Sequence, residues 1–182
     1  MHIAIYGGSF NPPHLGHAMV AAWAVWSGRA DATWLVPCAS HAFEKDLADF
    51  GARLALCEAL ADLLGDRVKV CAIERDLPAP NYTWGTLCAL RQAHPQDDFS
   101  LVVGADTLEQ VHLWHRWEDI AREFTPIVVG RQGHRAVEGA PCFPGISSSE
   151  VRDLLGADRP VDHLVPAVLL EHLAALYGPD AK

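Results

Sequence analysis

The chain has no apolar stretch long enough to cross a bilayer. Its longest, Ala18–Trp26, falls well short of the roughly 20 residues a helical span needs. No cationic segment leads into an apolar one at Met1, so no secretory leader is expected. Cys-x-x-Cys is missing: the five cysteines, Cys38, Cys57, Cys71, Cys88 and Cys142, are odd in number and scattered. That excludes a disulfide framework and leads us to expect reduced, mostly buried thiols in a cytoplasmic protein. Basic charge is scarce, with 14 Lys and Arg against 23 Asp and Glu for a net −9. Such a chain does not coat nucleic acid or an anionic membrane through bulk charge, although a few local arginines can still hold one small anion. Neither Gly-x-x-x-x-Gly-Lys-[Ser/Thr] nor Gly-x-Gly-x-x-Gly occurs, which removes two common nucleotide-binding arguments. No repeat, low-complexity tract or linker interrupts the 182 residues, half of which are apolar and 20% charged. One domain over 1–182 with a full core is expected.

Strand-like and helix-like segments alternate from the start. His2–Tyr6 is a β-branched and aromatic run that stops at Gly7-Gly8, a strand entering a tight turn. Leu15–Trp26 reads as a buried helix, apolar on most faces. Thr33–Val36, Val68–Ile73, Phe99–Val103 and Ile127–Val129 are further strands. Phe50–Leu64, Thr83–Ala93, Trp117–Phe124, Ser148–Leu155 and Pro166–Leu176 are helices. Short strands separated by helices predict an α/β fold, a Rossmann-like parallel sheet with helices on both faces. Ligands on such sheets sit beyond the carboxyl ends of the strands. Those ends carry Gly7-Gly8-Ser9, Pro37, Gly104-Ala105-Asp106 and Gly130-Arg131, while Gln132–Pro144 reads as a surface loop.

The strongest chemical signal is Gly7-Gly8-Ser9-Phe10-Asn11-Pro12-Pro13-His14-Leu15-Gly16-His17. Two glycines let the backbone approach a ligand, and a proline-stiffened turn then leads into a helix. His14 and His17 lie three apart, one above the other on its first turn. Two imidazoles beside free helix N–H groups suit phosphate oxygens. Capping and packing alone, or a metal site short of a third ligand, are the competing readings. Near the other end, Ser147-x-x-Glu150 is a capping box. Ser148 and Ser149 supply hydroxyls and amides at the positive end of that helix. Arg152 shares their face, and its planar fork suits a triphosphate tail.

The first of these segments resembles the His-x-Gly-His signature of the nucleotidyltransferase superfamily, in the version used by bacterial nicotinate-nucleotide adenylyltransferases. These enzymes transfer AMP from ATP to nicotinate mononucleotide, giving deamido-NAD and pyrophosphate. Ile146-Ser147-Ser148-Ser149-Glu150-Val151-Arg152 resembles the second superfamily signature, Ile-Ser-Ser-Thr-x-x-Arg, with Ser149 in place of Thr. The resemblance implies His14, His17 and Arg152 as catalytic residues. It implies ATP contacts from Gly7, Gly8, Ser9 and Phe10 after the first strand, and from Ile146, Ser147, Ser148 and Ser149 at the second signature. Gly104-Ala105-Asp106 resembles the family's Gly-Ala-Asp, which places Gly104 and Asp106 at the adenosine. A bare helix-capping role for Asp106 is compatible with that.

Tyr82-Thr83 with Thr86-Leu87 resembles the segment that lies along the pyridine mononucleotide, with Asn81 where Ser or Thr is common. Leu113–Trp117 resembles the family's Trp-x-x-Trp-like stretch, which makes Trp114 the nicotinate-stacking ring. Trp117, Trp23, Trp26 and Trp34 are expected in the core. The family has Lys or His after the second strand and Arg on the next helix. His41, Lys45 and Arg53 are the candidates here, although the common Pro-Pro-His-Lys form is absent. We assign Lys45 and Arg53, with Tyr82, Thr83, Thr86 and Trp114, to the mononucleotide, and keep Arg131 as a phosphate or adenine-side candidate. Mg²⁺ is expected to accompany ATP without a protein cage. The expected partners are ATP and nicotinate mononucleotide, with no nucleic acid and no membrane, and a homo-oligomer is compatible. The alternatives are an enzyme for the amide mononucleotide or for both, a sister transferase such as phosphopantetheine adenylyltransferase, and a non-catalytic nucleotide sensor.

Overall fold

Alternation of side chains along each apolar run decides which helices cover which face of the sheet. The computed structural model describes residues 1–39 and 47–179. Its strands are β1 (His2–Gly8), β2 (Ala32–Pro37), β3 (Val68–Val70), β4 (Asp98–Gly104), β5 (Ile127–Arg131) and β6 (Cys142–Phe143). They form one sheet in the order β3-β2-β1-β4-β5-β6, every pair parallel. The helices are α1 (Leu15–Trp26), α2 (Phe50–Leu64), α3 (Thr83–Ala93), α4 (Ala105–Leu108), α5 (Trp117–Glu123), α6 (Ser148–Gly156) and α7 (Leu170–Tyr177). This is the expected Rossmann-like α/β fold, doubly wound.

Ile3 and Ile5 of β1, with Leu101 and Val103 of β4, point to the face covered by Leu87 and Leu90 of α3 and Ile120 of α5. The intervening Ala4 and Val102 point the other way, onto Val20 and Ala24 of α1. That period of two buries both faces. Cys57 and Leu60 of α2 join Ala18, Ala21 and Val25 of α1 beside β2. A further cluster of Leu56, Val151, Val165, Leu169 and Leu173 packs α6 and α7 against α2, and that packing fixes where α6 begins.

The strand order reverses between β1 and β4, and there the two strands part. His2–Ile5 pair with Asp98–Leu101, but Tyr6–Gly8 continue only along β2 while Val102–Gly104 turn to β5. The divergence opens a crevice at the carboxyl ends, the switch point where such sheets take ligands.

Several expectations need correction. Gln132–Pro144 is not wholly a surface loop, since β6 lies inside it and pairs with Gly130 and Arg131; two residues are too few to carry a periodic signal. The third strand stops at Val70, and Ile73–Asp76 winds instead into a 3-10 turn. Trp26 is 71% exposed rather than core. It sits on the outward stripe of α1 near the end of the helix, one turn beyond Trp23, whose ring still packs against the core, while Val25 beside it faces the sheet. Only Cys57 is buried among the free thiols, and Cys142 on the edge strand is exposed. Among the described residues no helix is long and apolar enough to cross a membrane.

Candidate active site

The first signature turns sharply because Phe10 takes a left-handed backbone conformation, with φ 44°. A bulky residue rarely adopts this, and it persists only where the surroundings determine it. Here they do. The Phe10 ring is fully buried, 4.8 Å between centroids from His17 and 5.7 Å from Tyr6. A Cβ on Gly8 would stand 3.3 Å from that ring, so glycine there lets the aromatic floor close.

His14 is the N-cap of α1 and His17 its third residue. Their rings stack at 3.8 Å. The His14 backbone N–H donates to His17 Nδ1 at 3.1 Å. Nδ1 must therefore carry a lone pair, and the neutral ring keeps its proton on Nε2, a donor for a ligand. Burial holds His14 down at a pKa of about 4, assisted by the Arg131 charge. His17 is likewise held well below the usual range, by burial first and then by His14 and Arg131. Both imidazoles are thus neutral at pH 7. His14 Nδ1 is buried with no hydrogen-bond partner among the described residues, a donor or acceptor that a ligand can satisfy.

The second signature meets the first. Ser147 caps α6 by accepting the Glu150 N–H at 3.1 Å. Ser148 Oγ donates to the Pro12 carbonyl at 2.9 Å. Its hydroxyl proton is committed there, which leaves the backbone N–H for a ligand. Arg152 donates from Nη1 to the Asn11 carbonyl at 2.6 Å and from Nη2 to Ser149 Oγ at 3.4 Å. The Asn11 side-chain oxygen accepts from Tyr177 Oη at 2.7 Å and from the Ala48 N–H at 3.2 Å. Two helix N-termini, those of α1 and α6, therefore converge beside the crevice, each with a partial positive charge; at α1 the Leu15 N–H already donates to the Leu164 carbonyl at 2.9 Å, while at α6 the Ser148 and Ser149 amides face the opening.

Asp106, in the first turn of α4, lies across the crevice. A Cβ on Gly104 would run into its Oδ1, so Gly104 permits the carboxylate to fold back over the end of β4. Arg131 Nη1 stands 3.7 Å from Asp106 Oδ2, and Arg131 Nη2 donates to the Ile146 carbonyl at 2.7 Å. This arginine at the end of β5 ties both flanks together, and only its position after a strand pointed to it in the sequence.

Arg53 stands beneath rather than within the opening. It is 1% exposed, and its guanidinium donates to the Ser9 carbonyl at 2.8 Å and the Ala48 carbonyl at 2.9 Å. Lys45 and His41 lie outside the described residues. Tyr82 is exposed at the N-cap of α3 and faces His115 at 5.0 Å. Trp114 meets Trp117 edge-on at 5.8 Å, and Arg116 covers Trp84 at 4.2 Å. Together with half-buried Thr83 these rings build an aromatic wall beyond β4. Thr86 is 3% exposed, its hydroxyl 2.8 Å from Glu74 Oε1. Sequence reasoning missed Glu74, a buried carboxylate in an irregular segment where nothing periodic marks burial. Among the described residues no group of three or more His, Cys, Asp or Glu is gathered as a metal cage.

A model of the cytidylyltransferase-like family matches residues 5–154. A protein of Anaeromyxobacter sp. (strain K) named "Probable nicotinate-nucleotide adenylyltransferase" is 44% identical over 174 residues, covering 94% of this chain and 92% of its own length. One of the same name from Myxococcus xanthus (strain DK1622) is 34% identical over 184 residues, covering 98% and 95%. Among solved structures, Plasmodium falciparum nicotinic acid mononucleotide adenylyltransferase complexed with NaAD superimposes with a TM-score of 0.80 at 20% identity, over 97% of both chains.

Proposed function

The chain belongs to the cytidylyltransferase-like family and, within it, to the nicotinate-nucleotide adenylyltransferases, and from there we propose how its residues divide the work of moving AMP from ATP to nicotinate mononucleotide. The observation that carries the assignment is the meeting of the two helix N-termini at the switch point, with two neutral histidines on one and Arg152 on the other.

The triphosphate lies across the crevice. His17 presents its Nε2 proton to the α-phosphate, and His14 fills the polar need of its buried ring nitrogen there. The N–H groups of Ser148 and Ser149 and the outward edge of Arg152 take the β- and γ-phosphates, where negative charge grows as pyrophosphate leaves. Gly7, Gly8 and Ser9 allow the nucleotide to approach the end of β1, and Asp106 faces the adenosine. Phe10, Ile146 and Ser147 act from below, as floor, anchor and cap. The mononucleotide lies on the α3 side against Tyr82, Thr83 and Trp114. Arg53 shapes that side by fixing the Ser9 carbonyl, and Lys45 supplies a cation to its phosphate.

The attacking group is a phosphate oxygen that already carries charge, so the protein need only align it in line with the α-phosphorus. No covalent intermediate is required. Mg²⁺ would accompany ATP as part of the substrate, with phosphates and water as its ligands, and would offset the triphosphate charge. The enzyme acts in the cytoplasm on small molecules. Steady-state pyrophosphate release with ATP and Mg²⁺, run in parallel on nicotinate mononucleotide and its amide, tests the reading. Turnover far higher with the acid supports it, equal use makes the enzyme dual in specificity, and silence with both refutes it.

A further inference from the structure

Glu74 is 8% exposed in the 3-10 turn between β3 and α3. Burying a carboxylate is costly unless every oxygen is partnered. This one is, and its partners come from separate segments. Oε2 accepts the Ala39 N–H, just past β2, at 3.2 Å. Oε1 accepts the Thr86 hydroxyl, in the first turn of α3, at 2.8 Å. The Glu74 carbonyl accepts from Asn81 Nδ2 at 3.3 Å, ahead of Tyr82. The Arg53 guanidinium, itself buried, is the nearby cation.

We propose that Glu74 is a positioning residue for the mononucleotide, one buried carboxylate that sets the first turn of α3 against the end of β2. The inference rests on the placement of the mononucleotide on the α3 side. Thr86 does not reach a ligand, since it is buried and its proton is on Glu74. What it fixes is the frame of Tyr82 and Thr83: with its hydroxyl held by Glu74, the Thr86 N–H donates to the Tyr82 carbonyl at 3.2 Å. Simple core filling would not call for a charge here, because an apolar side chain of similar size is generally no less stable. The value of the carboxylate is directional. It accepts from two walls at once, and the ATP side draws on none of these bonds.

The test compares Glu74→Gln, Thr86→Val and Thr86→Ser with the unaltered protein, following KM for each substrate, kcat and the thermal midpoint. Glutamine keeps the size but gives one oxygen and one amide donor, so its oxygen stays on the Ala39 N–H, which can only donate, and the Thr86 hydroxyl loses its charged acceptor. Glu74→Gln and Thr86→Val are each expected to raise KM for nicotinate mononucleotide roughly 10- to 150-fold, the range for a lost hydrogen bond to a charged group. KM for ATP should stay within about twofold, and Thr86→Ser, which keeps the hydroxyl, should restore wild-type KM. The double variant Glu74→Gln/Thr86→Val should be little worse than the worse single one, because both remove the same bond. Equal rises in both KM values, or a lower thermal midpoint with KM unchanged, would overturn the role. If Glu74→Gln does not fold, the Val and Ser changes at Thr86 carry the same test. No turnover by the unaltered protein would overturn the mononucleotide assignment as well, so the two failures are told apart.

Discussion

Replacing Gly16 with Ala separates catalysis from stability at one methyl group. Gly16 is the second residue of α1, and a Cβ there would lie 2.9 Å from both Cε1 and Nδ1 of His14. Ordinary carbon contacts begin near 3.5 Å, so about half an ångström must be found. His14 has little room to give it, being 6% exposed with its ring stacked at 3.8 Å on His17. On the other side Ile146 Cβ would be 3.7 Å away, an ordinary contact. The methyl therefore pushes the His14–His17 pair out of line. A misplacement of about 1 Å at a reacting centre costs on the order of 10²-fold, so Gly16→Ala should lower kcat by roughly 10- to 100-fold. Alanine favours the helix by up to about 1 kcal/mol, which offsets the strain and should leave the thermal midpoint within a few degrees. Gly156→Ala is the control: its Cβ meets nothing within 4 Å at the far end of α6, so it should leave kcat unchanged and move the thermal midpoint by no more than the few degrees that the same helix preference allows. Pyrophosphate release and a melting curve on each variant decide the matter. A Gly16→Ala protein with kcat within twofold of wild type would refute the reasoning.

Other expectations follow from the same geometry. His17→Ala removes the Nε2 donor and should cost about 10² to 10⁴ in kcat in a protein that still melts cooperatively; near-normal turnover would remove His17 from the mechanism. Trp114→Ala should raise KM for nicotinate mononucleotide by roughly 5- to 100-fold, from about 1–3 kcal/mol of lost stacking, with KM for ATP little changed; parallel rises would refute the stacking. The His14 pKa of about 4 lies below its unfolded value, so the unfolded chain binds protons first on acidification. Its contribution is complete above about pH 6.5 and is lost as the pH falls toward 4, amounting to about 3 kcal/mol. Denaturant titration at both pH values should show that loss and His14→Gln should lessen it, while an NMR titration that puts the His14 imidazole itself near pH 6.5 in the free protein would contradict it.

The parts of this molecule legible in its sequence are those whose cause is local. Ile3 and Ile5 alternate with Ala4, and the two glycines close the strand, so β1 and its turn are written in adjacent residues. The same holds for His14 and His17, three apart on one helix, and for Ser147 capping Glu150. What the sequence leaves open depends on contacts that only the folded chain supplies. Phe10 takes its strained backbone because Tyr6 and His17 enclose its ring. Arg131 matters because β5 places it beside both Asp106 and Ile146. Glu74 becomes a joint only when the fold brings Ala39 and Thr86 to it. Composition misled at Trp26, whose apolar surface suggests the core while its place on the outward stripe of α1 puts it in solvent. Arg53 looked like a ligand contact and stands buried under the Ser9 turn, because the fold needs a cation there to hold two carbonyls.

The position of the triphosphate decides which of these residues can act on it. A crystal structure with Mg²⁺ and an ATP analogue that resists cleavage at the α–β bond measures this directly. The α-phosphate should sit within about 3 Å of His17 Nε2, hydrogen-bonding distance, with the β- and γ-phosphates on the Ser148 and Ser149 N–H groups and Arg152. An analogue bound elsewhere on the sheet, or with its phosphates turned away from both helix N-termini, would contradict it.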